Sequence, residues 1–297
     1  MKNWWKELES KVKFSEPLWQ HTTFRIGAAC DYFIEPKDII ELKLLIKLLK
    51  RYKISFQVLG SGSNVLVCGS RVRGAVVHLA GRYFKKISFK KCFCEVGAGC
   101  RLSKLISSAS RRSLTGHEFL MGIPGTVGGA LMMNAGKSSG RGGIGDFVEH
   151  VKVMDRKGRV SVIKKNGLKF GYRKSNLRNY IILEARLRFS KGNQKEIMSR
   201  INEFISYRKS SQDCTSLSAG CIFKNPGGKS AGRLIDLCGL KGVKLGGASV
   251  SRKHANFIIN QNNAKAEDVL GLMKLARKKV KNKFGINLKP EIKIWGL

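Results

Sequence analysis

Long apolar runs are missing from this chain of 297 residues, and acidic residues and prolines are scarce. No stretch approaches 18 uninterrupted apolar residues, so the sequence predicts no membrane-spanning helix. The opening segment, MKNWWKELESKVKF, carries charges throughout and has no apolar core, which argues against a secretory signal. The eight cysteines include no C-x-x-C pair, and no histidines lie at zinc-finger spacing, so we expect no metal site. Free thiols without a signal peptide favour a cytoplasmic location.

The shortage of acidic residues leaves 20 Asp and Glu against 57 Lys and Arg, a formal net charge of +37. Such a field attracts anions, so a phosphorylated small molecule and a nucleic acid are both candidate partners. The longest basic run is only three residues, Arg277-Lys278-Lys279, whereas a nucleic-acid-binding arm would contain blocks of five or more. No aromatic-rich RNA-binding strand or recognised helix motif is present either. A nucleic-acid-binding protein stays open as an alternative that rests on charge alone.

The apolar pattern predicts a mixed α/β (α+β) fold. The segment 31–36 is typical of a strand, 37–53 of an amphipathic helix and 54–60 of a second strand. A βαβ arrangement of this kind predicts parallel strand pairing. The predicted inner face of the helix consists of Ile39, Ile40, Leu42, Leu45, Ile46 and Leu49.

The remainder of the chain predicts two further regions. From 72 to about 190 we expect short strands, a helix over 101–112 and a hairpin turning at Lys157-Gly158. The last hundred residues end in a helix over 264–283, with Ala266, Val269, Leu270, Met273, Ala276 and Val280 on its inner face. The length and these changes of texture predict three domains, 1–72, 73–190 and 191–297.

Two glycine-rich loops are candidates for binding phosphate. The first, LGSGSNVLV, follows the second strand, and its small residues Gly60, Ser61, Gly62, Ser63 and Asn64 would present several backbone N–H groups to one point. It departs from the Rossmann fingerprint, because Val65 stands where the third glycine would be.

The second loop, GIPGTVGGALMMNAG (122–136), contains more glycine than a turn needs. Its glycines would let a flat or charged cofactor approach the backbone closely, although a tightly packed glycine corner is the structural alternative. Two such loops on successive α/β units favour a dinucleotide.

A third segment, SAGCIFKNP (218–226), places Cys221 among small residues with Lys224 and Asn225 close behind. This pattern is typical of an active-site loop, while a buried apolar thiol is the alternative for any single cysteine. Arg173 in FGYRKS and Glu291 in LKPEIKIWG stand alone in sequence, and each by itself suggests a surface ion.

Taken together, these motifs resemble the UDP-N-acetylenolpyruvoylglucosamine reductase family over residues 20–296, with HANFIIN and PEI following in the same order. The likeness is to the shorter, type II branch, because little room remains for a substrate-capping insertion. The resemblance implies two FAD-binding subdomains of the vanillyl-alcohol-oxidase (PCMH) type and a C-terminal α/β substrate domain. It also implies an enzyme of peptidoglycan precursor synthesis, a UDP-N-acetylmuramate dehydrogenase that uses FAD and NADPH.

The resemblance assigns residues as follows. Arg173 and Glu291 border the substrate carboxylate, Cys221 donates a proton to C2 where many relatives have serine, and Lys224 and Asn225 contact the substrate. The flavin-binding positions are Gly60, Ser61, Gly62, Ser63, Asn64, Gly122, Ile123, Pro124, Gly125, Thr126, Gly128, Gly129, Asn134 and Gly136. In TGHEF (115–119) the chain departs from a usually more apolar stretch, and we expect His117 to be structural.

The partners implied are the UDP-sugar and NADPH, with no nucleic acid, no membrane and a monomeric protein. Within enzymes, the alternative is an FAD-dependent oxidase with the same flavin domain. The SAGCIFKNP and PEI motifs weigh against that alternative.

Overall fold

Short strands alternate with six α-helices in the part of the chain that the structure describes. The computed structural model describes residues 3–136 and 142–296. The helices are α1 (Ile39–Arg51), α2 (Leu102–Ser110), α3 (Val127–Met133), α4 (Gln194–Ser211), α5 (Ala231–Asp236) and α6 (Ala266–Phe284). Single 3-10 turns occur at Trp4–Glu7, Leu18–His21, Tyr83–Lys85, Glu118–Leu120, Ile144–Phe147 and Lys165–Gly167.

The strands are short, each with two to eight residues. They are β1 (Val12–Pro17), β2 (Ala29–Ile34), β3 (Phe56–Leu59), β4 (Val65–Val67), β5 (Arg71–His78), β6 (Ile87–Lys90), β7 (Phe93–Gly97), β8 (Leu114–Thr115), β9 (Val148–Met154), β10 (Val160–Lys164), β11 (Phe170–Gly171), β12 (Lys174–Ser175), β13 (Ile181–Arg188), β14 (Ser190–Lys191), β15 (Leu217–Cys221), β16 (Lys244–Leu245), β17 (Ala248–Val250), β18 (Phe257–Asn260) and β19 (Lys293–Trp295). This is the mixed α/β content that the sequence predicts.

The described residues divide into two compact units. Unit 1 draws on Met1–Phe14, Tyr32–Gly60 and Gly74–Ser206, and unit 2 on Ser15–Asp31, Ser61–Arg73 and Tyr207–Leu297. Unit 1 has a core built on α1, α2 and the sheet β10-β9-β13-β7-β6. Unit 2 has a separate core built on α5, α6 and the sheet β15-β18-β17-β16. The three-domain division at 72 and 190 stays a prediction.

Helix α1 confirms the predicted amphipathic segment but corrects its inner face. Asp38 caps the helix, its carboxylate accepting a hydrogen bond from the Glu41 N–H at 2.9 Å. Leu42 and Leu45 are fully buried, whereas Ile40 is 79% exposed. The reason is geometric, because Ile40 lies two residues before Leu42, about 200° around the helix axis.

Parallel pairing occurs as predicted, but the two strands that flank α1 do not pair with each other. Strand β3 pairs in parallel with β5, from Phe56 opposite Ala75 to Leu59 opposite His78. The sheet order is β1-β2-β5-β3, so β5 separates the two strands that flank α1. The first glycine loop therefore leaves from the carboxyl end of a parallel strand, where α/β proteins commonly bind ligands.

The predicted hairpin is the β9–β10 pair. Val160 lies opposite Met154, and Gly158 adopts φ +82° in the turn. The Asp155 carboxylate accepts hydrogen bonds from the Lys157 and Arg159 N–H groups at 2.8 and 2.9 Å. The turn is thus fixed by a local side chain as well as by its glycine.

The predicted helix over 264–283 is confirmed as α6, with one correction to its inner face. Its buried residues are Ala266, Val269, Leu272, Met273, Ala276 and Val280, while Leu270 is only half-buried at the flank. Gly285 ends the helix with φ +70°, and its N–H donates to the Lys281 carbonyl at 2.8 Å.

Within residues 3–136 and 142–296, none of the helices combines the length and apolar character that crossing a bilayer requires.

Candidate active site

Gly60, which begins the first glycine loop, lies against the second glycine loop inside unit 1. A Cβ atom on Gly60 would lie 2.8 Å from Thr126 Oγ1, so the backbone at the end of β3 approaches the start of α3 closely. Thr126 is the N-cap residue of α3, and its hydroxyl accepts from the Gly129 N–H at 3.4 Å. The position of Gly60 therefore tolerates no side chain while Thr126 caps this helix.

The second glycine loop is seated against the segment that follows β7. The Gly128 N–H donates to the Ala98 carbonyl at 2.8 Å, and the Val127 N–H donates to the Cys100 carbonyl at 2.9 Å. A Cβ on Gly128 would lie 3.0 Å from Ala98 Cβ. These two N–H groups are already bonded within the protein. Gly128 would therefore aid ligand binding by lacking a side chain and not by donating its N–H.

Asn134 ends α3 and ties it to two other segments. The residue adopts the left-handed conformation with φ +45°. Its Nδ2 donates to the Gly171 carbonyl at 3.2 Å, and its Oδ1 accepts from the Gly145 N–H at 3.0 Å. The side-chain amide is thereby used in bonds within unit 1, and its contact with a flavin stays a prediction.

Arg173 lies in the two-residue link of the β11–β12 hairpin. Gly171 lies opposite Lys174 in this hairpin, and Arg173 itself has φ +53°. Its guanidinium carbon is 5.3 Å from the centre of the Tyr172 ring. A positive φ at a residue with a side chain is costly, and such strain collects at functional sites.

A second bond fixes the same hairpin to α3. The Ser175 hydroxyl donates to the Met132 carbonyl at 3.0 Å. Together with the bond from Asn134 to Gly171, it attaches both strands of the hairpin to the helix of the second glycine loop. The structure therefore links Arg173, the predicted substrate cation, to the predicted flavin loop.

In unit 2, the residues that continue the first loop pack against residues 21–23. Gly62 has φ +63°, and a Cβ there would lie 2.7 Å from Thr22 Cα. Thr23 donates its N–H to the Gly62 carbonyl at 3.2 Å and its hydroxyl to the Ser218 carbonyl at 2.7 Å. The hydroxyl of Ser61 is buried, and it has no hydrogen-bond partner within the described residues.

Cys221 ends strand β15 beside an irregularity in the sheet. The register with β18 shifts between Ser218 and Cys221, and Gly220 has φ +73°. Bulges of this kind re-aim side chains next to active sites. Cys221 is half-buried, whereas Cys94 and Cys100 are buried and burial raises the pKa of their thiols to about 12 and about 11. The buried-thiol alternative therefore applies to those cysteines and not to Cys221.

Asn256 makes hydrogen bonds to the backbone of the segment after Cys221, as the backbone of a neighbouring strand would. It is buried, with its Oδ1 accepting from the Phe223 N–H at 2.9 Å and its Nδ2 donating to the Phe223 carbonyl at 2.7 Å. Its own carbonyl accepts from the Ile222 N–H at 2.8 Å. The motif HANFIIN contains this residue, but nothing in the sequence identifies its bracing role.

Glu291 is brought beside the same segment by the end of the chain. Strand β19 pairs in parallel with β4, and the Glu291 N–H donates to the Ile222 carbonyl at 2.8 Å. Asn64 Nδ2 lies 3.5 Å from the Glu291 carbonyl, and the Lys224 N–H donates to the Lys289 carbonyl at 2.9 Å. Unit 2 thus places Asn64 and Glu291 beside the segment that begins at Cys221 and contains Lys224.

Asn225 lies at the entrance to α5. Its Oδ1 accepts from the Ala231 N–H at 3.0 Å, which orders the loop between Lys224 and the helix. The Ser230 hydroxyl caps the same helix by accepting from the Arg233 N–H at 3.3 Å.

Over the described ranges there is no group of three or more His, Cys, Asp or Glu side chains arranged to hold a metal ion.

Comparison with known proteins identifies the family. Residues 30–164 match the family model of an FAD binding domain, and residues 212–295 match that of the UDP-N-acetylenolpyruvoylglucosamine reductase C-terminal domain. The UDP-N-acetylenolpyruvoylglucosamine reductase of Caldanaerobacter subterraneus subsp. tengcongensis is 42% identical over 290 residues, which cover 97% of this chain and 95% of that protein. The chain belongs to the UDP-N-acetylenolpyruvoylglucosamine reductase family.

Other members of the reductase family agree with this assignment. The Clostridioides difficile reductase is 38% identical over 287 residues, covering 96% of this chain and 93% of its own. The crystal structure of the Thermus caldophilus reductase superimposes with a TM-score of 0.81 at 36% identity, covering 97% of this chain and 100% of that chain. The predicted resemblance, the mixed α/β fold and the FAD domain are confirmed.

The residues of this chain fit an FAD cofactor. Gly60 and Gly62 leave no room for a side chain, because their backbones pack directly against Thr126 and Thr22. The buried hydroxyl of Ser61 has no partner within the described residues and is free to bond one. The assignment of each flavin-binding and catalytic position stays a prediction.

His117 lies outside these loops, directly before the 3-10 turn Glu118–Leu120. It is buried between Phe147 and Phe189, with ring centroids at 4.2 and 4.0 Å, and burial lowers its pKa to about 4. The neighbouring Glu118 accepts hydrogen bonds from Thr115 and Arg200. This environment is that of a packing residue.

Proposed function

We propose that the protein reduces the enolpyruvyl group of UDP-N-acetyl-3-O-(1-carboxyvinyl)glucosamine to give UDP-N-acetylmuramate, a step of peptidoglycan precursor synthesis. The observation that carries the proposal is family membership across 97% of the chain, with the FAD and reductase domains both matched. The paired glycine loops and the Cys221 segment supply the local support. Bound FAD would supply the redox chemistry, hydride transfer from NADPH to C3 of the enolpyruvyl group.

Arg173 is proposed to hold the substrate carboxylate. Hydride arrival at C3 pushes negative charge through C2 onto that carboxylate, giving an enolate-like species. A fixed cation at this point stabilises the developing charge without reorganising. The attachment of the Arg173 hairpin to α3 through Asn134 and Ser175 supports a fixed rather than a mobile guanidinium.

Glu291 is proposed to border the same carboxylate. An ionised Glu291 by itself would repel the enolate, so its role requires either a proton on the side chain or a bond to a cation. The backbone bond from Glu291 to Ile222 holds it next to the Cys221 segment within unit 2.

Cys221 is proposed to donate the proton that C2 receives. A thiol has a reference pKa of about 8.5 and gives up a proton far more readily than a hydroxyl. Its position at a bulged strand end, half-buried and braced by Asn256, suits a positioned acid. The thiolate left after transfer regains its proton from solvent.

The remaining assignments concern binding. Lys224 and Asn225 are proposed to hold the diphosphate or carboxylate of the sugar nucleotide. The FAD contacts are proposed to come from Gly60, Ser61, Gly62, Ser63, Asn64, Gly122, Ile123, Pro124, Gly125, Thr126, Gly128, Gly129, Asn134 and Gly136. We further propose that the protein works as a monomer in the cytoplasm on these small molecules, with no nucleic acid and no membrane as partners.

The visible spectrum of the purified protein tests the proposal. We expect a yellow protein that NADPH bleaches under anaerobic conditions and that the enolpyruvyl sugar nucleotide recolours. An oxidase would recolour with oxygen and be unaffected by the sugar nucleotide. A colourless protein that takes up no FAD on reconstitution would exclude the redox function altogether.

A further inference from the structure

A basic groove runs between strand β6 and helix α2 in unit 1. It has a volume of about 750 Å³, and none of its lining residues belongs to the glycine loops or the Arg173 hairpin. No Asp or Glu is among the described residues that line it. Five cationic side chains line it, Arg82, Lys85, Lys86, Lys104 and Arg112.

The charges of this groove are not neutralised within the part of the chain that the structure describes. None of the five cations forms an ion pair there with a carboxylate. The Arg112 guanidinium instead lies 4.8 Å from the centre of the Phe89 ring and donates to the Ser108 carbonyl at 2.9 Å. The Lys86 ammonium lies 4.8 Å from the centre of the Tyr83 ring. Uncompensated cations around one concave surface favour an anionic occupant.

The second feature of the groove is an open sheet edge. Strand β6 is the outermost strand of the described sheet β10-β9-β13-β7-β6. The Gly97 N–H donates to the Lys86 carbonyl at 2.9 Å, and Ile87 lies opposite Val96. In an antiparallel pair, alternate residues direct their backbone groups toward the partner strand. Ile87 and Phe89 therefore direct their N–H and C=O groups toward the open edge.

The floor of the groove is apolar beside this edge. The side chains of Ile87 and Phe89 are half-buried and line the groove, while Ser88 and Lys90, which alternate with them, are exposed. A strand added along β6 would thus find backbone donors and acceptors, two apolar contacts and a surrounding ring of cations. A groove between a helix and a sheet edge is the geometry that strand addition uses.

We propose that this groove binds an acidic, extended segment of a partner polypeptide, which adds as a strand along β6. Its backbone pairs with Ile87 and Phe89, and its carboxylates lie against the five cations. A polypeptide fits better than a nucleic acid, because the outward carbonyls of the edge need N–H donors at the spacing of a peptide and would repel phosphate. The cationic side chains would bind either kind of ligand, whereas the outward backbone groups of β6 favour a polypeptide.

Fluorescence anisotropy on the full-length, flavin-loaded protein tests this. The probe is a labelled octapeptide of alternating Glu and Val, compared with its Gln and Val counterpart and with a single-stranded RNA octamer. We expect the acidic peptide to bind, and the double variant Lys85→Glu, Lys86→Glu to weaken it at least about tenfold. The matched control is Lys278→Glu with Lys279→Glu on the exposed side of α6, which changes the net charge equally.

A proline variant separates strand addition from plain charge attraction. Ile87→Pro removes an N–H that faces the open edge and not β7, and Lys86 at φ −60°, ψ 145° suits a residue before proline. We expect peptide binding to weaken about threefold to tenfold, as for the loss of one hydrogen bond, with flavin content and reductase activity retained. If Ile87→Pro misfolds, as judged by lost flavin, the lysine pair still decides the question.

Three results would overturn the proposal. One is equal weakening by the α6 control pair, which would make the binding a property of overall charge. Another is undiminished peptide affinity in a folded Ile87→Pro variant. The third is tighter binding of the RNA octamer with the same dependence on Lys85 and Lys86, which would make the groove a nucleic-acid surface.

Discussion

At the scale of single residues, His117 is set in unusually apolar surroundings. Only 1% of it is exposed, and within the described residues neither ring nitrogen has a hydrogen-bond partner. Desolvation lowers its pKa from 6.5 to about 4, against a smaller opposing effect of the Glu118 charge. The folded protein therefore holds this imidazole neutral over a pH range in which the unfolded chain protonates it.

The sign of the resulting pH dependence follows from linkage. Because the folded-state pKa lies below the unfolded one, the unfolded state binds more protons between pH 6.5 and about 4. The free energy of unfolding should fall across that window as the pH drops, by roughly 3 kcal/mol from this residue. We expect His117→Leu to remove that part of the slope and to raise stability at pH 7 by about 1 kcal/mol. Urea unfolding at pH 7, 6, 5 and 4.5 measures both, and parallel curves for the two proteins would contradict the expectation.

Cys221 gives a second residue-scale prediction. Cys221→Ser should retain measurable turnover, because a hydroxyl at the same place is a poorer but usable acid. Cys221→Ala should keep flavin reduction by NADPH and lose about 10²- to 10⁴-fold in sugar reduction, the usual size of a general-acid effect. Cys238→Ala, another half-buried thiol of unit 2, is the matched control and should behave as wild type. Stopped-flow traces of the two half-reactions separate the steps, and full sugar reduction in the Ala variant would remove Cys221 from the mechanism.

At the scale of elements, the β11–β12 hairpin depends on α3 for its position. Asn134 and Ser175 supply the two bonds, at 3.2 and 3.0 Å. Arg173 sits in the strained link between the strands, so a loosened hairpin moves its guanidinium. Asn134 is thus a positioning residue for Arg173, whether or not it also contacts the flavin.

We expect Asn134→Ala to lower kcat for sugar reduction by about tenfold to a hundredfold, because small misplacements of a catalytic group are costly. Flavin reduction by NADPH should change much less. Asn176→Ala is the control, since among the described residues the Asn176 side chain bonds only to Lys169 and Gly167, on the exposed side of the same hairpin region. Equal losses in the two half-reactions would instead point to a damaged flavin site.

The helices and strands also show how much of the fold sequence patterns can predict. The periodicity of apolar residues placed α1, α6 and the β9–β10 hairpin within a few residues of their observed bounds, because local burial produces that periodicity. It could not reveal that β5 inserts between β2 and β3, or that β19 pairs with β4. Those pairings join segments distant in sequence, and no local preference encodes them.

At the scale of the whole molecule, the net charge of +37 should govern how fast anionic ligands arrive. Raising salt from about 10 to about 300 mM should lower kcat/KM for the sugar nucleotide about tenfold, through screening of the long-range field. The value of kcat should change little, since screening acts on encounter rather than on chemistry. An uncharged solute at equal osmolality is the control, and a salt-independent kcat/KM would show that the charge plays no part in capture.

The sequence alone determined the family and the fold class, because ordered motifs and apolar periodicity are patterns within local segments. The flavin loops and the roles of Cys221 and Arg173 stay predictions. Only the tertiary structure placed Glu291 beside the Cys221 segment, identified Asn256 and Thr23 as its supports and showed the open edge beside the basic groove. These features arise where separate segments pack, and a contact between distant segments leaves no periodic trace in either one.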